Sequence, residues 1–137
     1  PVTGISLDSR TLKAGEAFVA IRGNRFDAHA FLPQAVARGA ACVIVSNVPP
    51  SLPHGAVIAV EDTTQALGAV AAFHRRRFHI PVIAVTGSCG KTTTKDFIAH
   101  LLNGDRQVLK TQGTQNNHIG LPMTLLRLSR EHAAAVV

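Results

Sequence analysis

Seven consecutive residues carry the chemistry most legible in this chain: Gly87-Ser88-Cys89-Gly90-Lys91-Thr92-Thr93. Thr86 leads into them from an apolar run, Val82-Ile83-Ala84-Val85, and they open an amphipathic run through Phe97-Ile98-Ala99 to Leu101-Leu102. Strand, glycine turn, helix is the setting a phosphate-binding loop needs. Glycines let backbone N–H groups turn inward around an anion, and the following helix aims its positive dipole end at the same point. In that arrangement Lys91 reaches the outer phosphates and the Thr92 hydroxyl holds Mg²⁺. Thr86 to Thr93 are therefore the candidate ATP-binding residues, with Thr92 the candidate metal ligand and Lys91 the candidate catalytic group. The loop is a shortened variant: Val85 stands where G-x-x-x-x-G-K-[ST] places its first glycine.

These residues need a scaffold, and the composition supplies one. The chain has 137 residues, 46% of them hydrophobic, with Ala, Val, Leu and Ile dominating. That is enough for one domain or two small ones. There is no Trp or Tyr, so stacking platforms for single-stranded nucleic acid are not expected. The net charge of +6 suits a solvated surface or an anionic partner, and beside a phosphate loop small polyphosphates explain it better than nucleic acid. Cys42 reads as a buried strand residue and Cys89 sits in the loop, so a disulfide between them would disrupt the site. A reduced, cytoplasmic setting is expected, with no membrane insertion and no signal peptide.

The elements read as α/β. Short strands are expected at Ile5–Leu7, Ala17–Ile21, Ala41–Val45 and Ala56–Val60. A helix from Ala30 to Arg38 should place Phe31, Ala35 and Val36 on one face, with Gly39 as its C-cap. Asp62 caps a second helix, Thr63 to about Arg77, whose Leu67, Val70, Ala71 and His74 share a face. Arg75-Arg76-Arg77 in its last turn suits the helix dipole in solvent. A hinge comes next, at Phe78 to Pro81. Beyond the phosphate helix come a strand at Val108-Leu109, the polar segment Thr111 to His118, a helix from Met123 to Leu128, and a final buried strand, Ala133 to Val137. A small α/β module, 1–79, thus precedes the start of a P-loop-type parallel-sheet ATPase domain, 80–137. A buried strand with nothing after it implies an N-terminal fragment of a longer protein.

Three blocks together resemble the Mur ligases of peptidoglycan synthesis. They are Leu7-Asp8-Ser9-Arg10 running on through Gly15 to Gly23 and Asp27-Ala28-His29; Val85 to Lys95; and Asn116-Asn117-His118-Ile119-Gly120-Leu121-Pro122 followed by Thr124 to Leu128. Within the family the blocks look most like the branch that adds D-alanyl-D-alanine to UDP-N-acetylmuramoyl-tripeptide. The branch adding the third peptide residue shares the first block but typically carries more threonine where this chain has Lys95-Asp96. Two residues depart from the pattern: Thr114 where asparagine is frequent, and Ala28 where glycine is.

The resemblance implies ATP-driven amide-bond formation through an acyl phosphate on the peptide carboxylate, attacked by the incoming amine. It implies that the first module binds the UDP end of the substrate through Leu7, Ser9 and the Asn24-Arg25-Phe26 turn. A hydroxyl and a cation, Ser9 and Arg10, beside a tight turn also suit a diphosphate, whereas an Asx-type turn ending a strand accounts for the same residues without a ligand. Asn116 and Asn117 contact substrate phosphate or fix their own loop. No carboxylate can be placed beside His29 or His118, which assigns both to structure. The family's Mg²⁺-binding glutamate, modified lysine and C-terminal domain are expected beyond Val137, so the fragment alone is expected to be inactive. The implied partners are the UDP-MurNAc-peptide and D-alanyl-D-alanine, in a bacterial cytoplasmic monomer.

Overall fold

The computed structural model describes residues 1–23, 26–50, 56–104, 107–113 and 117–137. The chain divides into two compact units, Pro1–Leu67 and Gly68–Val137. The division falls inside one helix, upstream of the 79/80 boundary expected from the sequence.

In the first unit, strands β1 (Gly4–Ser6), β2 (Glu16–Val19), β3 (Cys42–Val45) and β4 (Ala56–Ala59) form a parallel sheet in the order β1-β2-β3-β4. All four residues of β3 are buried, as an inner parallel strand covered on both faces requires. The core joins Phe18 and Ala20 to Leu32, Ala35, Val43 and Val45. The expected helix at Ala30–Arg38 is built differently. A 3-10 turn, Ala28–Phe31, comes first, and α1 spans only Leu32–Ala37. Asp27 accepts the His29 N–H and starts the 3-10 turn. Pro33 is tolerated because it sits in the first turn of α1, where its missing N–H costs no helical bond. The tighter 3-10 turn shifts the phase. Leu32 takes the core position and Phe31 faces outward. Gly39 does end the helix, with the left-handed φ of +84° that favours glycine.

Helix α2 (Thr63–Arg76) starts as expected: Asp62 Oδ1 accepts the N–H groups of Thr64 and Gln65 at 2.7 and 3.1 Å. Its last turn is not simply solvated. Arg75 donates to the carbonyls of Phe78 and Ile80. His74 pairs with the Leu128 carbonyl at 3.0 Å and meets the Phe78 ring edge-on. The segment read as a hinge is packed, with Phe78 and Ile80 against the core residues Leu109, Leu128 and Ala135. That packing is why the end of α2 belongs to the second unit.

The second unit holds β5 (Val82–Ile83), α3 (Lys91–Leu102), β6 (Gln107–Lys110), α4 (Gly120–Leu125) and β7 (His132–Val136). Its parallel sheet has the order β5-β7-β6. The final strand is central, paired on both edges, which accounts for its buried Ala134, Ala135 and Val136. Helix α4 begins three residues before the expected Met123. Asn117 Oδ1 accepts the N–H groups of Ile119 and Gly120, and Pro122 again sits in a first turn. On α3 the buried side is Lys95 and Ala99, while Phe97, Leu101 and Leu102 are exposed. Among the described residues no helix is long and apolar enough to cross a membrane.

Candidate functional site

The loop after β5 has the geometry of an anion cradle. Val85 is the last residue tied to the sheet, its N–H donating to Val137. Gly87 comes next with φ +147°, then Gly90 with φ +75°. Gly90 is the N-cap of α3 and has no side chain to offer as a cap. Thr94 makes the first backbone hydrogen bond of the helix, to the Gly90 carbonyl. Among the described residues, the N–H groups from Gly87 to Thr93 have no hydrogen-bond acceptor. Donors left without an acceptor at the positive end of a twelve-residue helix are what a polyphosphate requires. The Lys91 ammonium lies over this loop and donates to the Gly87 carbonyl at 2.5 Å. The Thr92 and Thr93 side chains are exposed in the same turn. Donor set, lysine and hydroxyl together fit a nucleoside triphosphate with its magnesium.

A second candidate lies wholly in the first unit. A cavity of about 260 Å³ at the end of β1 is lined by Leu7, Asp8, Ser9, Arg10, Phe26 and Phe31, with Phe18 and Ala28 at its base. Phe26 and Phe31 stack with centroids 5.2 Å apart and planes 19° from parallel. Gly23 N–H closes onto the Phe26 carbonyl at 2.8 Å, which brings Phe26 back to the cavity. Leu7, Ser9, Arg10 and Phe26 are thus gathered in one place. Phe31 joins them, although the sequence placed it on one helical face with Ala35 and Val36. Its signal was the Asp27 side chain two residues before His29, which starts a 3-10 turn rather than an α-helix. Asn24, Arg25 and Asn116 lie outside the described residues.

Asp8-Ser9-Arg10 is an Asx turn and a cavity wall at once. Asp8 Oδ1 accepts the Arg10 N–H at 2.9 Å, and its carboxylate takes both the Nε and Nη2 donors of Arg10. The Arg10 guanidinium is the first cause that holds the Asp8 pKa down at about 2, with the Arg10 backbone N–H second. The same pairing raises the pKa of Arg10. Ser9 is buried and donates to Gln34 Oε1 at 2.6 Å, so its hydroxyl proton is already engaged.

The histidines divide. His29 has the carboxylate that the sequence did not reveal: Nδ1 lies 2.6 Å from Asp27 Oδ1. Its Nε2 accepts the Ser46 N–H at 3.0 Å, which assigns the proton to Nδ1 and makes the ring a neutral bridge. The Asp27 carboxyl is held below its usual range, first by the His29 backbone N–H. His118 is exposed beside Asn117. Asn117 spends its side-chain oxygen on α4, so it fixes its own loop, and its amide NH₂ has no partner among the described residues.

The comparisons with known proteins agree along the chain. Residues 1–88 match the family described as "Mur ligase family, catalytic domain", and residues 85–137 match "Mur ligase middle domain". A UDP-N-acetylmuramoyl-tripeptide–D-alanyl-D-alanine ligase of Synechocystis is 46% identical over 139 residues, covering 99% of this chain and 30% of the relative. A crystal structure of MurF from Acinetobacter baumannii superposes with a TM-score of 0.93 at 42% identity, covering 99% of this chain and 30% of that one. MurF of Thermotoga maritima, solved in complex with ADP, gives 0.87 at 34% identity, covering 97% and 31%. The chain therefore spans about 30% of the length of the relatives it matches.

Proposed function

This chain belongs to the Mur ligase family, and from that premise we propose that it is the N-terminal part of an ATP-dependent ligase adding D-alanyl-D-alanine to UDP-MurNAc-tripeptide. The observation that carries the reading is the open cradle of N–H groups from Gly87 to Thr93 at the start of α3. Residues 1–79 serve as the UDP-substrate module and 80–137 as the first part of the ATP-binding domain. The ligase works in the bacterial cytoplasm as a monomer.

ATP, when bound, supplies the phosphoryl group that activates the peptide carboxylate for amide formation. The chain's own contribution is alignment and charge neutralisation. The loop N–H groups of Thr86 to Thr93 and the α3 dipole hold the phosphates. Lys91 offsets charge that grows during transfer, and the Thr92 hydroxyl holds Mg²⁺. In the first unit, the Phe26–Phe31 pair and Leu7 offer apolar faces to a uracil ring, and Arg10 serves the diphosphate; Asn24 and Arg25 are assigned to the same substrate from the sequence alone. Asn116 and Asn117 contact the substrate.

Equilibrium binding to the whole ligase that carries this chain tests the two-site assignment. Phe26→Ala removes a stacking face worth about 1–3 kcal/mol. It should weaken UDP-MurNAc-tripeptide about 5- to 150-fold and leave ATP unchanged. Lys91→Ala should do the reverse. Equal effects of either variant on both ligands would contradict the assignment.

A further inference from the structure

The 3-10 turn Ala28–Phe31 forms one wall of the first-unit cavity, and its own backbone holds it weakly. The Ala30 N–H reaches the Asp27 carbonyl only at 3.4 Å, and hydrogen bonds in such turns are poorly aligned. The competing arrangement is an α-helical turn from Ala30. It would carry Phe31 to the face of Ala35 and Val36, onto the core and away from Phe26. Side chains decide between the two. The His29 side chain is 13% exposed, so its bonds are largely shielded from water. Its Nδ1 donates to Asp27 Oδ1 at 2.6 Å, at the start of the turn. Its Nε2 accepts the Ser46 N–H at 3.0 Å, with the Ser46 hydroxyl 3.2 Å away. Ser46 follows β3, whose Val43 and Val45 belong to the core. The ring thus pins the turn to the end of an inner strand.

The imidazole itself is not part of the cavity wall, but Phe31, two residues on, is. Its stacking on Phe26 depends on the phase of the turn. We propose that His29 is a positioning residue for the nucleotide end of the substrate: by tying the 3-10 turn to Ser46 it keeps Phe31 stacked on Phe26, where the pair meets a uracil ring. The residues concerned all lie in the first unit. The inference rests on the proposed use of this cavity by UDP-MurNAc-tripeptide.

The test is equilibrium binding to the whole ligase with His29→Ala, His29→Gln, Phe31→Ala and the double variant His29→Ala/Phe31→Ala, below the melting temperature of each. His29→Ala removes both bonds. It should raise Kd for UDP-MurNAc-tripeptide about fivefold or more, toward the loss of a stacking face, and leave Kd for ATP within about twofold. His29→Gln returns an acceptor for the Ser46 N–H and should recover most of the loss. Phe31→Ala should weaken the same ligand. Adding His29→Ala to it should cost less than about twofold more, because the histidine acts through a ring already removed. If Phe31→Ala acts and His29→Ala matches wild type, the positioning role is overturned while the substrate reading stands. If neither acts, the substrate reading of the cavity fails first and takes the inference with it. An effect of His29→Ala without one of Phe31→Ala, or no recovery in His29→Gln, would place the action of His29 elsewhere and overturn the proposal. Additive losses in the double variant, a parallel rise in Kd for ATP, or loss of folding in both single His29 variants would make His29 a residue of general stability and overturn it too.

Discussion

Gly90→Ala isolates the part of the phosphate site that only backbone geometry supplies. Gly90 caps α3 at φ +75° and ψ −1°. A Cβ built there meets nothing within 4 Å, so no clash contributes. The cost is torsional alone, about 1–2 kcal/mol for an L-residue in the left-handed region. With RT about 0.59 kcal/mol, that is a factor of about 5–30 in an equilibrium constant. If the substituted loop relaxes and returns to this shape only around the nucleotide, the whole factor appears in Kd. If the fold enforces the shape, it appears as lost stability. Calorimetric titration with ATP and ADP, paired with thermal melts of the whole ligase, measures both shares. Their sum should reach about 1–2 kcal/mol. Gly90→Asn should recover most of it, because asparagine tolerates this region. If Gly90→Ala changes neither affinity nor melting, the αL cap is not what shapes the cradle.

Other substitutions and probes read the same geometry. Lys91→Ala should lower kcat about 10²–10³-fold, as loss of a preorganised charge donor does. Its melting temperature should hold, since the replaced contact to Gly87 is exposed; a fall in melting without loss of kcat would contradict the role. Iodoacetamide under native conditions should label exposed Cys89 and spare Cys42, whose thiol burial pushes up in pKa. ATP should slow Cys89 labelling, and labelling indifferent to ATP would count against nucleotide in the loop. Asp8 has a folded pKa of about 2 against 3.8 ordinarily, so its contribution to stability is present above pH 3.8 and is lost as pH falls through about 2. A carboxyl-carbon NMR titration should find that midpoint, and Arg10→Gln should move it back toward 3.8; an unchanged midpoint would refute the pairing.

The features legible in the sequence are local ones. Asp62 caps α2 through N–H groups two and three residues away, and the phosphate loop closes within seven residues. Ala133 to Val137 read as a strand because an inner parallel strand is apolar along its length. What the sequence hid depends on partners brought in from afar or on a shift of helical phase. The burial of Lys95 left no mark in the sequence because its carbonyl partners lie 16 and 18 positions on. Phe31 shares a face with Ala35 and Val36 only if an α-helix begins at Ala30, and a 3-10 turn comes first. That same turn folds Asp27 back onto His29, giving the ring the carboxylate that linear spacing did not suggest. The Phe78–Pro81 segment looked like a hinge because its anchors, Arg75 and the Leu109–Leu128 core, act through side-chain reach.

The central claim is tested most directly by phosphate release from ATP by the whole ligase with UDP-MurNAc-tripeptide, with and without D-alanyl-D-alanine. The account predicts release that requires the dipeptide and a product heavier by one dipeptide less water. Release with UDP-MurNAc-dipeptide and a diamino acid, and none with D-alanyl-D-alanine, would contradict it and assign the chain to the ligase that adds the third residue.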